Sequence, residues 1–82
     1  MKLPRDLSGQ KLASLLRRRG YEITRQTGSP LRLTSNIRGR EHHVTIPAHT
    51  SLRVGTLSSI LNDVAHYLEV EREELEKDLF GA

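Results

Sequence analysis

Apolar residues recur first at helical spacing, then in alternation, then again at helical spacing, and these changes of period divide the chain into elements. Leu12, Leu15 and Leu16 form one helical stripe, while Lys11, Arg17, Arg18 and Arg19 fall on the solvent side. Ser8 is placed to cap this helix, with Leu7 stapled against Leu12, and Gly20 to end it with a left-handed residue. Tyr21 and Ile23 then alternate with Glu22 and Thr24, as Leu31 and Leu33 do with Arg32 and Thr34. His42, Val44 and Ile46 share one side of a third run that Pro47 stops. Gly28, Ser29 and Pro30 make the first turn between strands, and the polar stretch Ser35–Arg40 makes the second. Leu57, Ile60, Leu61, Val64, Ala65 and Leu68 fall on one face of a longer helix, for which Thr56 is the expected cap. Glu71–Phe80 has the spacing of a short acidic helix that turns Leu75 and Leu79 toward the body.

The order helix, three short strands, helix predicts an α+β fold of αβββα type. Short connections make the strands an antiparallel meander. Two helices on one face of the three-stranded sheet bury both leucine stripes, with a short C-terminal helix beside them. That order is the order of double-stranded-RNA-binding domains, although a shared order does not by itself establish function. Eighty-two residues allow one core and so one domain over 1–82, with a core from about 3 to 68 and an acidic extension over 69–82.

Charge sharpens the picture. Through Ser58 there are eleven Lys and Arg against Asp6, Glu22 and Glu41, whereas from Ser59 onward there are two against seven acids. Ten of the thirteen bases are arginine, whose planar fork suits phosphate. A basic surface of this kind concentrates polyanions, which points to RNA. The chain has no cysteine, so disulfides and thiolate zinc sites are excluded, and a reducing compartment such as the cytoplasm is compatible with this. No run is long and apolar enough to span a membrane, and Met1–Leu7 lacks the apolar core of a signal peptide.

Several segments together resemble the HicA (YcfA-like) toxin family: Leu7-Ser-Gly-Gln-Lys-Leu, Leu15-Leu-Arg-Arg-Arg-Gly-Tyr-Glu, and Arg25-Gln-Thr-Gly-Ser-Pro-Leu-Arg-Leu-Thr. His43-Val-Thr-Ile-Pro-Ala-His and Leu52-Arg-Val-Gly-Thr-Leu-Ser-Ser-Ile-Leu continue the likeness, which runs from about Leu3 to Leu68. The resemblance implies a toxin–antitoxin protein with a fold similar to the double-stranded-RNA-binding domain. It also implies metal-independent cleavage of messenger RNA, no cofactor, and inhibition by a HicB-like antitoxin. The family motif runs Gly-Ser-His, with the histidine catalytic. Gly28 and Ser29 match it, but Pro30 occupies the histidine position. Proline has neither an ionisable group nor a backbone N–H. Loss of a positioned general acid or base costs about 10²–10⁴-fold in rate, so the resemblance implies an impaired ribonuclease.

Centring the second hairpin near Arg38 puts Pro30 opposite Ile46, and His42 and His43 opposite Thr34 and Leu33. That spacing holds both histidines about 10–13 Å from Pro30. His49 falls just past the third strand, near the Gly28–Pro30 turn, and matches a histidine seen in the family after this strand. It is the leading substitute for the missing acid or base, beside the plainer reading of a loop histidine satisfied by backbone or water. His42 and His43, adjacent on a strand, point to opposite faces and do not converge on a metal. His66 is expected at the boundary of the long helix. Arg25 and Arg32 flank the motif turn and are read as RNA-backbone contacts, with Gly28 and Ser29 between them. Arg17 and Arg18 either grip phosphate or solvate a helix end whose dipole favours cations. Tyr21 is read as core, and with Tyr67 and Phe80 the only other aromatics, a base-stacking platform is not expected. The alternative to an RNA-cleaving toxin is a non-catalytic RNA-binding or antitoxin-binding module; RNA affinity and the appearance of product separate the two.

Overall fold

The computed structural model describes residues 3–25 and 27–81. Its first helix, α1 (Gly9–Arg17), begins at Ser8, whose side chain accepts the Lys11 N–H at 3.0 Å. Gly20, at φ +96°, carries the chain out of the helix into the first strand. β1 (Glu22–Arg25), β2 (Leu31–Ser35) and β3 (His42–Ile46) form one antiparallel sheet in that order. α2 (Val54–Leu68) and α3 (Arg72–Phe80) complete the α+β arrangement.

The core lies between the sheet and the first two helices. Leu31, Leu33, Val44 and Ile46 point inward from β2 and β3, and Leu12, Leu16, Leu57 and Leu61 meet them from the helices. α3 packs on α2 and adds Leu75 and Leu79 to the same core. Arg72 fastens this pair of helices by donating to Glu76, Ser58 and Asn62 at 2.7–3.0 Å. The other sheet face carries exposed Arg32, His43 and Thr45.

Two expectations need correction. The second hairpin pairs Leu31 with Ile46, Leu33 with Val44, Thr34 with His43 and Ser35 with His42, one residue away from the expected register. Side chains alternate between faces, so the expected pairing of Pro30 with Ile46 sets an outward residue against an inward one. The observed register instead matches leucine with valine and isoleucine on the core side. A turn closed by the Gly39 N–H and the Asn36 carbonyl, 2.9 Å apart, accommodates it.

The second correction concerns the cap of the long helix. That helix starts at Val54, with Arg53 rather than Thr56 in the cap position and no side-chain cap. Tertiary structure overrides local signal here. The buried Leu52 gives its N–H to the Leu7 carbonyl at 2.8 Å, which fixes where the chain enters the helix.

Candidate nucleic-acid interface

The Gly28–Pro30 turn is fully exposed, and Gly28 takes φ +76°. The Ser29–Pro30 peptide is cis. The Ser29 hydroxyl accepts the Ala48 N–H at 3.2 Å, which ties the turn to the segment after β3. His49, the next residue, is exposed, and its carbonyl accepts the Gly9 N–H at 2.9 Å. The Ser29–Ala48 contact thus brings the segment just before His49 to the motif turn, and the His49 ring makes no hydrogen bond among the described residues. Pro30 borders an open cleft of about 650 Å³ shared with Thr45, Pro47, Arg53, Gly55 and Thr56. The cleft runs to the first turn of α2, whose N–H groups have no side-chain cap from Arg53.

On the outer sheet face, Arg25 stands directly opposite Arg32 across the β1–β2 pair, next to a register shift between Ile23 and Arg25. Both are exposed, and neither has an acidic partner among the described residues. Like charges opposite one another on a sheet are destabilising. The two guanidinium groups border a shallow depression with Thr24, Thr34, Glu41 and His43. Its floor is a continuous chain of polar contacts. Thr24 Oγ1 lies 3.1 Å from Thr34 Oγ1, which lies 2.9 Å from His43 Nδ1, and His43 Nε2 lies 3.0 Å from Glu41 Oε1.

A family model described as "HicA toxin of bacterial toxin-antitoxin" matches residues 9–65, which span α1, the whole sheet and most of α2. The chain belongs to the HicA toxin family. Comparison with curated proteins and with solved structures returned no match. The family-matched segment holds the motif turn, both facing arginines and His49, whereas α3 lies beyond it.

The HicA-family segment and its acidic extension divide the arginines. Arg19, at the end of α1, pairs with Asp78 of α3 at 2.8 Å, and Arg38 pairs with Glu69 at 2.8 Å. The hydrogen bond and charge of Arg38 hold the Glu69 carboxyl below the usual carboxylate range. Arg17 and Arg18 are exposed and have no ion pair among the described residues. Of the arginine run read from the sequence, Arg19 is therefore spoken for internally and the other two face solvent.

One cluster was not foreseen from the sequence. His42, on the core side of β3, lies 3.2 Å from Asp63 through Nε2 and 2.7 Å from the Tyr21 hydroxyl through Nδ1. Its ring stacks on Tyr67 at 4.5 Å. The Tyr67 hydroxyl donates to the Arg40 carbonyl at 2.7 Å and accepts the Arg38 N–H at 3.1 Å, anchoring the second hairpin turn. The alternation marked Tyr21 and His42 as inward, but Tyr67 and Asp63 lay outside the helical face read from the sequence, and only the fold brings the four together. Burial, aided by the nearby Asp63 and Tyr67, pushes the Tyr21 phenol above its ordinary pKa of 10.0. The folded state therefore favours the neutral phenol. Its contribution is fully present below pH 10 and is lost as pH rises from there toward the folded value. Denaturant titrations on the alkaline side should show stability falling more steeply for the unaltered chain than for Tyr21→Phe. Parallel curves would remove Tyr21 as the cause.

Proposed function

We propose that this chain binds messenger RNA through the arginines of the outer sheet face and the motif turn. It retains its family's metal-independent RNA cleavage only in weakened form, because Pro30 stands at the histidine position. In this reading the protein is a single HicA-like domain, with residues 69–82 as an acidic extension. It acts in the cytoplasm under the control of a HicB-like antitoxin. Arg25, Arg32, Arg17 and Arg18 meet phosphates, and Gly28 and Ser29 shape the bend beside them. The observation that carries the reading is the pair Arg25–Arg32, two cations placed face to face with neither in an ion pair among the described residues. A cross-strand repulsion of this kind is relieved by a bound phosphodiester.

Fluorescence anisotropy with single-stranded RNA at several salt concentrations tests it. Affinity should fall linearly on a log–log plot, as expected when phosphate contacts release counterions. Arg25→Ala and Arg32→Ala should each lower the slope by about 1 and weaken binding across RNA sequences. Unaltered affinity and slope in both variants would remove the outer face from the interface. The second reading, a non-catalytic module, is favoured by Pro30. It expects the same salt-dependent binding with no product at any RNA concentration, and it keeps the antitoxin as partner.

A further inference from the structure

On the RNA-binding reading above, we infer that His43, held between Thr34 and Glu41 on the outer sheet face, is a general base for cleavage of the RNA phosphodiester gripped by Arg25 and Arg32. Glu41, the residue before β3, and His43 lie two residues apart, and their side chains meet. The Glu41 carboxylate accepts the Nε2–H at 3.0 Å, which leaves Nδ1 as the acceptor nitrogen. Thr34 now fills that position, with its hydroxyl 2.9 Å from Nδ1. An incoming 2′-hydroxyl can replace it without stranding a donor. The Thr34 hydroxyl turns to Thr24 Oγ1 at 3.1 Å, and Thr24 in turn donates to the Arg32 carbonyl at 3.2 Å. His43 is 39% exposed at its side chain and so within reach of a bound strand. A carboxylate that fixes the tautomer of an imidazole facing a hydroxyl is the arrangement by which bases are oriented in other hydrolytic sites.

His43 Nδ1 takes the 2′-hydroxyl proton, the 2′-oxygen bonds to the adjacent phosphorus, and the bond from phosphorus to the 5′-oxygen breaks. The leaving 5′-oxygen takes a proton from water, and the imidazolium returns its proton to the hydroxide so formed. The products are a 2′,3′-cyclic phosphate and a 5′-hydroxyl. Arg25 and Arg32 offset the charge that gathers on phosphorus-bound oxygens in the transition state. With no histidine at position 30, His43 is the one imidazole on the outer face whose two ring nitrogens are already arranged for proton transfer among the described residues.

The test compares the full chain with His43→Ala, His43→Gln and Glu41→Gln on RNA in excess chelator, with anisotropy and circular dichroism for binding and folding. The unaltered chain should produce 2′,3′-cyclic phosphate ends and leave a strand with a 2′-deoxy scissile nucleotide intact. Both His43 variants should lose about 10²–10⁴-fold in rate while RNA affinity remains, and added imidazole should restore part of the His43→Ala rate. Glu41→Gln, which alters positioning alone, should lower kcat with KM unchanged. RNA binding without any cleavage, or cleavage that survives in His43→Ala and vanishes in His49→Ala, overturns the assignment while leaving the RNA-binding reading intact. Absence of RNA binding by the unaltered chain overturns both.

Discussion

Pro30→His should raise metal-free RNA cleavage by about 10²–10⁴-fold, the span a positioned acid or base supplies. Position 30 is exposed, continues the outward side of β2 that carries Arg32, and borders the cleft at the uncapped start of α2. An imidazole there titrates near neutral pH and can serve as acid or base for a strand seated at the motif turn. Position 30 lies four residues along β2 from Thr34, the partner of His43, about 13 Å at the strand rise, so the new histidine acts at the motif turn and apart from His43. The gain should appear in kcat more than in KM, because the added group acts on the developing charge rather than on the bound strand. Single-turnover cleavage of labelled RNA in chelator measures it. A rate equal to that of the unaltered chain, with the fold intact, would mean that the cleft beside position 30 does not receive the scissile phosphate.

Gly9→Ala should destabilise the domain by about 3 kcal/mol or more, at the upper end of what overpacking costs. Gly9 is buried in the first turn of α1, where its N–H holds the His49 carbonyl. A methyl group at this position would overlap the Pro47 carbonyl oxygen and crowd the Ala48 Cα at 3.3 Å. Those neighbours are backbone, so no rotamer change relieves the overlap. The segment after β3 must move off the helix, taking with it the Ala48 contact to Ser29. In a domain of this size each kcal/mol lowers Tm by about 4–8 °C, so thermal melts followed by circular dichroism will register the change readily. An unshifted Tm would show that the segment does not rest on Gly9.

Most of the fold was legible because its elements announce themselves in period. The leucine stripes of α1 and α2, the alternation through Leu31–Thr34, and the helix around Leu75 and Leu79 are all present as expected. The start of α2 was not legible, because the Leu52–Leu7 bond that sets it joins residues far apart in sequence. The register of the second hairpin was in fact written in the pattern. Matching the inward sides of Leu31, Leu33, Val44 and Ile46 requires it, whereas counting back from the loop centre misplaced it by one residue. The candidate site was legible only as a list. The sequence marks Arg25 and Arg32 as neighbours of the motif turn, but their direct opposition depends on the shift beside Arg25. The relay through Thr34, His43 and Glu41 depends on the corrected register, which moves His43 from Leu33 to Thr34.

The placement of α3 has a consequence for how the molecule meets its target. The helix packs on α2, and its Asp78 binds Arg19, while Arg25 and Arg32 of the outer sheet face have no ion pair among the described residues. The domain is thus electrically polar through its thickness. A polyanion approaching from any direction exerts a torque that presents β1 and β2 first and turns the C-terminal helix away, so orientation begins before contact.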